Sequence, residues 1–168
     1  MKLYEPFNFL TADECDELVS YAQDKIENGS TLGKYAGRNN RIAWYKESKH
    51  WAKWIDMFNS IDPVIDWIQT PQIALYKPGE RYDWHVDTWP QFRTHVRHFT
   101  LTCELQSAPG GKLELENNNF ILSRGQAIIF KPSDRHKAVS PTEGERISFT
   151  IWALAKNKNK QPFPSQTR

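Results

Sequence analysis

His85-Val86-Asp87 sets an imidazole and a carboxylate two residues apart. On an extended strand such side chains leave the same face, so both can take adjacent positions on one metal ion. A further imidazole would complete two His and one carboxylate, the facial set that leaves positions open on a ferrous ion. A lone His-X-Asp is common by chance, and its plain reading is a surface His beside an Asp. The chain has 5 histidines, which leaves His50, His95, His98 and His136 as candidates for the third ligand. His50 lies among Lys49, Trp51 and Lys53 in a helical stretch and reads as exposed. His95 and His98 follow the motif closely, around Arg93 and Arg97. His136 comes directly after the apolar run 127–130 and the turn residues Lys131-Pro132-Ser133-Asp134-Arg135. A His in that place can return to the opposite rim of a barrel.

Arg146 suggests a second kind of chemistry. A dicarboxylate that chelates a metal at one end has a free carboxylate at the other, and a guanidinium can clamp that end bidentately. Arg146 alternates with Ser148, Thr150 and Trp152, so a small hydroxyl shares its face. The structural alternative is an ion pair with Glu143 or Glu145.

Two kinds of element must position these groups. Thr11-Ala12-Asp13-Glu14 is a capping box, and Cys15, Leu18, Val19, Ala22 and Ile26 follow at helical spacing, ending near Asn28-Gly29. Residues 29–47 read as loop with at most one strand. A second helix starts near Ser48 and carries Trp51, Trp54, Ile55 and Phe58. Pro63 breaks or restarts it, and Val64, Ile65, Trp67 and Ile68 continue an apolar pattern to about Gln69. Beyond Pro71 the runs 72–76, 82–87, 98–105, 112–115, 120–122, 127–130 and 146–154 are strand-like. They are separated by turn signals such as Lys77-Pro78-Gly79, Pro109-Gly110-Gly111, Asn117-Asn118-Asn119 and Arg124-Gly125. Short strands at such spacing predict a sandwich or barrel, with a jelly roll among the options. In the last strand Ile147, Phe149 and Ile151 oppose the polar set; in the run 98–105, His98, Thr100, Thr102 and Glu104 oppose Phe99, Leu101, Cys103 and Leu105. We expect the polar faces to line an interior and the apolar faces to pack outward on the helices.

The 168 residues fit a single domain, with 39% hydrophobic and 25% charged residues as in ordinary globular chains. A net charge of +2 gives no case for a nucleic-acid partner. The two cysteines, Cys15 and Cys103, allow no zinc motif and read as buried free thiols. The start lacks the apolar core of a secretory signal, and no apolar run approaches the ~20 residues that cross a bilayer. A cytoplasmic setting, with no membrane partner, is the expectation. The Lys-, Asn-, Gln- and Pro-rich residues 156–168 predict a disordered tail. The expected division is one domain over 1–155, with a helical N-terminal region over 1–70 and a barrel over 71–155.

Together, Tyr76-Lys77-Pro78-Gly79-Glu80-Arg81-Tyr82-Asp83-Trp84-His85-Val86-Asp87, Gly110-Gly111, Phe130 to His136, and Arg146 resemble the prolyl-4-hydroxylase-type Fe(II)/2-oxoglutarate-dependent dioxygenases, including bacterial prolyl- and lysyl-hydroxylase relatives. The likeness spans residues 70–155. It implies a mainly β fold with N-terminal helices: a double-stranded β-helix, the jelly-roll relative also described as cupin-like, flanked by helices. It implies Fe(II) on His85, Asp87 and His136, which would be both metal ligands and catalytic residues. It implies 2-oxoglutarate held by Arg146, Tyr76, Thr100 and Ser148, with O2 as oxidant and ascorbate as reductant. Tyr82 and Trp152 match aromatics beside the iron, and Trp84 and Trp89 would add walls to the substrate pocket. The segment 88–97 would be a substrate-side loop. Collagen-type members carry Lys where this chain has Arg146, which resembles the oxygen-sensor and bacterial branches instead. The implied reaction is hydroxylation of an unactivated C–H, foremost in a peptidyl proline, coupled to conversion of 2-oxoglutarate and O2 to succinate and CO2. A peptide or protein is the implied substrate. Two alternatives stand beside it. One is a nucleic-acid demethylase of the same superfamily, which usually carries a second Arg where Trp152 stands. The other is a cupin-like binding module that needs no 2-oxoglutarate.

Overall fold

In a computed structural model, residues 2–27, 37–88 and 94–157 are described. Eleven strands and two helices follow one another in the order β1 (Phe7–Asn8), α1 (Ala12–Glu27), β2 (Arg41–Trp44), α2 (Trp51–Asn59), β3 (Ile65–Ile68), β4 (Gln72–Tyr76), β5 (Tyr82–His85), β6 (His95–Gln106), β7 (Lys112–Leu115), β8 (Asn118–Phe120), β9 (Gln126–Phe130), β10 (His136–Val139) and β11 (Arg146–Lys156). They form two antiparallel sheets. The larger runs β1-β9-β6-β11-β4-β2, with β3 added on β11; the smaller runs β5-β10-β7-β8. The chain is therefore mainly β.

The capping box forms as its residues require. Thr11 Oγ1 accepts from the Glu14 amide at 3.2 Å, and Glu14 accepts from the Thr11 amide at 2.8 Å. That second bond is the main reason the Glu14 carboxyl lies below its ordinary range. Helix α1 lays Cys15, Leu18 and Ala22 against the larger sheet; α2 adds Trp54 and Phe58. The sheet answers with Phe149 and Ile151 of β11, Leu101 and Cys103 of β6, and Ile73 of β4. Each is fully buried, and burying such a side chain contributes roughly 1.5–3 kcal/mol. The apolar faces do pack on the helices, and both cysteines are free and buried. The opposite face of the same strands, with Thr102, Glu104, Arg146, Ser148 and Thr150, turns toward the smaller sheet. Gly125 ties the helix to the sheet. It has φ +79°, its carbonyl accepts from the amides of Phe9 and Leu10, and a Cβ there would stand 2.4 Å from Leu10 O.

Several expectations need correction. Residues 1–70 are not simply helical: β1, β2 and β3 all join the larger sheet. The apolar run after Pro63 is strand β3, because β11 is long enough to offer it a partner through Ala153↔Ile68 and Leu154↔Trp67. A polar triplet read as a turn, Asn117-Asn118-Asn119, puts two of its members into β8, since Leu115 pairs Asn118 and the hairpin loop is only Glu116-Asn117. Strand β10 was not anticipated at all; four residues of mixed polarity carry too little pattern. Strand β11 continues through Lys156, and the rest of the expected tail from 158 lies outside the described residues.

Candidate metal centre

Strands β5 and β10 pair in antiparallel fashion, with His85 directly opposite His136. Their rings lie 4.1 Å apart at 56°. Each ring nitrogen Nδ1 meets a carbonyl two residues upstream: His85 meets Asp83 O at 2.7 Å, and His136 meets Asp134 O at 2.9 Å. A carbonyl only accepts, so both Nδ1 atoms carry a proton and Nε2 is the nitrogen that bears the lone pair in the neutral ring. Burial and the neighbouring His136 push His85 down to about 4, which keeps its imidazole neutral. Asp87 follows the end of β5, held by its amide to Pro132 O and by Arg97 on its carbonyl, at 2.7 and 2.9 Å. Its carboxylate is 3.5 Å from His136 Nε2 and 3.9 Å from His85 Nε2. One ligand atom from each of the three residues lies within 4.8 Å of the others, and among the described residues this is the one His/Cys/Asp/Glu group so disposed.

The two oxygens of Asp87 are not equivalent. Oδ2 accepts from Trp152 Nε1 at 2.8 Å and from Thr100 Oγ1 at 3.0 Å. Those donors come from β11 and β6, so the larger sheet fixes the carboxylate whose backbone belongs with the smaller one. Such partners orient a ligand and set its donor strength. The donor set fits a ferrous ion: two neutral imidazoles and one carboxylate.

Beside the three residues lies a cavity of about 380 Å³ between the sheets, within the range of small-molecule sites. Tyr76, Ser148, Arg146, Tyr82 and Trp152 line it. Tyr82 stacks on His85 at 3.5 Å and 12°. Burial pushes the Tyr76 phenol up, so it remains a hydrogen-bond donor. Thr100 is fully buried on Asp87 and is not among the described lining residues. Trp84 is not a wall. A bulge in β5 pairs Ala138 with Tyr82 and His136 with His85, which turns Tyr82 and His85 inward and Trp84 outward. Trp84 is 40% exposed, with Lys137 Nζ 4.8 Å from its ring. Trp89 lies outside the described residues, as do residues 90–93 of the loop 88–97. His95 and His98 sit elsewhere, facing Asp66 at 3.2 Å and Asp62 at 2.9 Å. A register shift near Arg97 and His98 breaks the simple alternation of β6, so that His98 leaves the polar face and Arg97 enters the cavity. His50 packs on Trp54 at the start of α2.

Arg146 holds a surprise. It pairs with neither Glu143 nor Glu145; Glu145 is bound by Arg41. Its Nε donates to both oxygens of Glu104, at 3.0 and 3.1 Å, and its Nη2 donates to Oε2 at 2.7 Å. Both side chains are nearly inaccessible. Burial raises the Glu104 carboxyl even with Arg146 beside it. Gly111 makes room for this Arg, since a Cβ there would stand 2.8 Å from Arg146 Cδ. Arg38 and Arg97 also reach the cavity. Arg38 bonds Gln72 and Asn40 and stacks over Tyr82 at 4.5 Å; Arg97 bonds Gln69 and stacks over Trp152 at 4.0 Å. Sequence reasoning missed Glu104 and Arg38. Glu104 had one signal, a charge on the face shared with Thr100 and Thr102.

Two antiparallel sheets enclosing a buried His/Asp/His group with an adjoining cavity define the class of a non-haem iron enzyme. Residues 71–154 match the model of the 2OG-Fe(II) oxygenase superfamily, and the chain belongs to that family. It is thus a dioxygenase that works with Fe(II), 2-oxoglutarate and O2. A viral collagen prolyl hydroxylase from Paramecium bursaria Chlorella virus-1, solved as its 2-oxoglutarate complex, is 25% identical, with a TM-score of 0.74 over 92% of this chain and 97% of that one. A Pseudomonas putida prolyl-4-hydroxylase shares the fold at 18% identity and a TM-score of 0.71, over 91% and 92% of the two chains. So does a Trichoplax adhaerens prolyl hydroxylase in complex with a hypoxia-inducible-factor peptide, at 21% identity and 0.64, over 90% and 83%. A sequence comparison with curated proteins found no match. No described helix is long and apolar enough to cross a membrane.

Proposed function

We propose that this chain hydroxylates peptidyl proline, with Fe(II) held by His85, Asp87 and His136. The fold reading that goes with it is a double-stranded β-helix, one domain over 1–155. Bound at this site, iron and 2-oxoglutarate supply the activation of O2 that puts hydroxyl on a C–H bond and yields succinate and CO2. The protein supplies binding, orientation and exclusion of water. His85 and His136 present Nε2 lone pairs fixed by their Nδ1 bonds. Asp87 is steered by Trp152 and Thr100. Arg146 takes the far carboxylate of 2-oxoglutarate, with Tyr76 and Ser148 on the same wall. Tyr82 and Trp152 flank the space beside the metal, where the compact apolar ring of proline packs well against aromatic faces.

The observation that carries the proposal is the pairing of a His/Asp/His group with that aromatic-walled cavity. The prolyl hydroxylase likeness, which covers 92% of the chain at 25% identity, supports the peptide substrate. Purified protein should be given Fe(II), 2-oxoglutarate, O2 and a panel of proline-containing peptides, with and without ascorbate as reductant. We expect succinate release in step with a peptide mass gain of one oxygen, sited on proline by fragmentation. Oxygen appearing only on another residue, or on a small molecule, would replace the substrate and leave the family chemistry standing.

A further inference from the structure

The cation expected to clamp 2-oxoglutarate is already paired. Glu104 occupies the Nε and Nη2 edge of Arg146 with three bonds of 2.7 to 3.1 Å. The Nη1 end of the fork carries none of these bonds. Arg146 lines the cavity, whereas Glu104 is not among the described lining residues. Glu104 therefore backs the guanidinium from behind. It is 3% exposed and Arg146 is 1% exposed, so water does little to screen either charge. The floor of the cavity is an approximately neutral ion pair rather than a bare cation.

This changes what the site can select. A carboxylate arriving at a lone buried guanidinium gains the full attraction of an opposite charge. Arriving here, it makes a carboxylate–guanidinium–carboxylate row with net charge −1, and the repulsion between its ends offsets much of that gain. A neutral acceptor, such as a carboxamide oxygen, meets the same Nη1 donors without the repulsion. Tyr76, packed 5.6 Å from the guanidinium and kept as a phenol by burial, is indifferent between the two. We propose that Glu104 is the specificity-determining residue of the co-substrate site, restraining the preference for a 2-oxo acid with a charged far end over one with a neutral far end. Its three bonds also fix the guanidinium in place and leave Nη1 outside the pair. The inference rests on the reading that 2-oxoglutarate binds beside the metal with its far end on Arg146.

The test uses Fe(II)-loaded protein under anaerobic conditions, titrated calorimetrically with 2-oxoglutarate and with its 5-(N,N-dimethyl)amide, which has no N–H to close onto the keto group. Both probes chelate the metal through the same 2-oxo acid group, so the ratio of their Kd values isolates the far end. In the wild-type protein we expect 2-oxoglutarate to be preferred by about tenfold or less, far below the several-hundredfold that a bare buried cation gives. Glu104→Gln keeps an oxygen acceptor for Arg146 and removes the charge. It should tighten 2-oxoglutarate at least about tenfold and leave the amide nearly unchanged, so that the ratio widens. A wild-type preference of a thousandfold, or the same ratio in both proteins, would overturn the proposal while leaving the co-substrate reading intact. If Glu104→Gln does not fold, the wild-type ratio decides alone. Wild-type protein that binds neither probe would overturn that reading, and the inference with it.

Discussion

Trp152 on β11 donates its indole N–H to Oδ2 of Asp87 at 2.8 Å, bridging 65 residues of chain and both sheets. Thr100 reaches the same oxygen. Trp152 therefore has two tasks: its face borders the cavity and its edge holds the carboxylate. Trp152→Phe keeps the wall and removes the donor. A hydrogen bond to a charged group contributes about 1.5–3 kcal/mol, so Fe(II) affinity should fall about tenfold to a hundredfold. Thr100→Val should fall in the same range. Competition with a chelator of known affinity measures both.

His85→Ala, Asp87→Ala and His136→Ala should each abolish turnover and weaken iron binding severely. His95→Ala and His98→Ala should bind iron like the wild type, since those rings face Asp66 and Asp62 instead. Iron titration by calorimetry separates the two groups. Normal affinity in His136→Ala would remove the assignment.

The apoprotein should lose stability as pH falls from about 6.5 toward 4. His85 is depressed to about 4 in the fold by burial first and by His136 second. Between its folded and unfolded values the unfolded chain binds the extra proton, so stability is fully present above about 6.5 and declines through that window. The loss is on the order of a few kcal/mol. Urea denaturation at stepped pH should show it, with a shallower slope in His85→Ala.

Arg146→Ala should destabilise the fold as well as weaken co-substrate binding. It strands Glu104 without its partner, and breaking a buried pair costs about 3–5 kcal/mol. Replacing both partners, as in Arg146→Met with Glu104→Leu, should recover most of the stability and none of the 2-oxoglutarate affinity. Melting temperatures and calorimetry of the single and double variants separate the two effects.

Gly111→Ala should act on the same clamp without touching a charge. The added Cβ would stand 2.8 Å from Arg146 Cδ and 3.3 Å from Ala108 O. The Arg must shift, so 2-oxoglutarate binding should weaken by roughly tenfold while iron binding stays as it was. Equal co-substrate affinity in this variant would show that the Arg can move aside freely.

Much of the layout was legible in the sequence because strong local patterns carry it. The capping box fixes where α1 starts, and the alternation of β11 fixes which side chains share the interior. His85, Asp87 and His136 were legible because two of them share a short motif and the third follows an apolar run. Other features depend on one residue more or less in a ladder. The bulge that turns Trp84 outward, and the register shift that sends Arg97 inward and His98 outward, leave no mark in hydrophobic period. Glu104 escaped for another reason. It lies 42 residues from Arg146, and only the pairing of β6 with β11 brings the two together.

His85 and His136 belong to one rung of the smaller sheet, whereas Asp87 is bonded to side chains of the larger. An ion shared by all three acts as a rivet between the layers of the sandwich. Its binding energy then counts toward keeping the layers closed, because whatever binds only the closed form stabilises it by mass action. The smaller sheet has just four strands, and it gains most from the rivet. Amides of β10 should exchange with solvent more slowly once iron is loaded, while those at the centre of β6 and β11 should hardly respond. The same coupling would make iron loss an unfastening of the layers as well as a loss of chemistry.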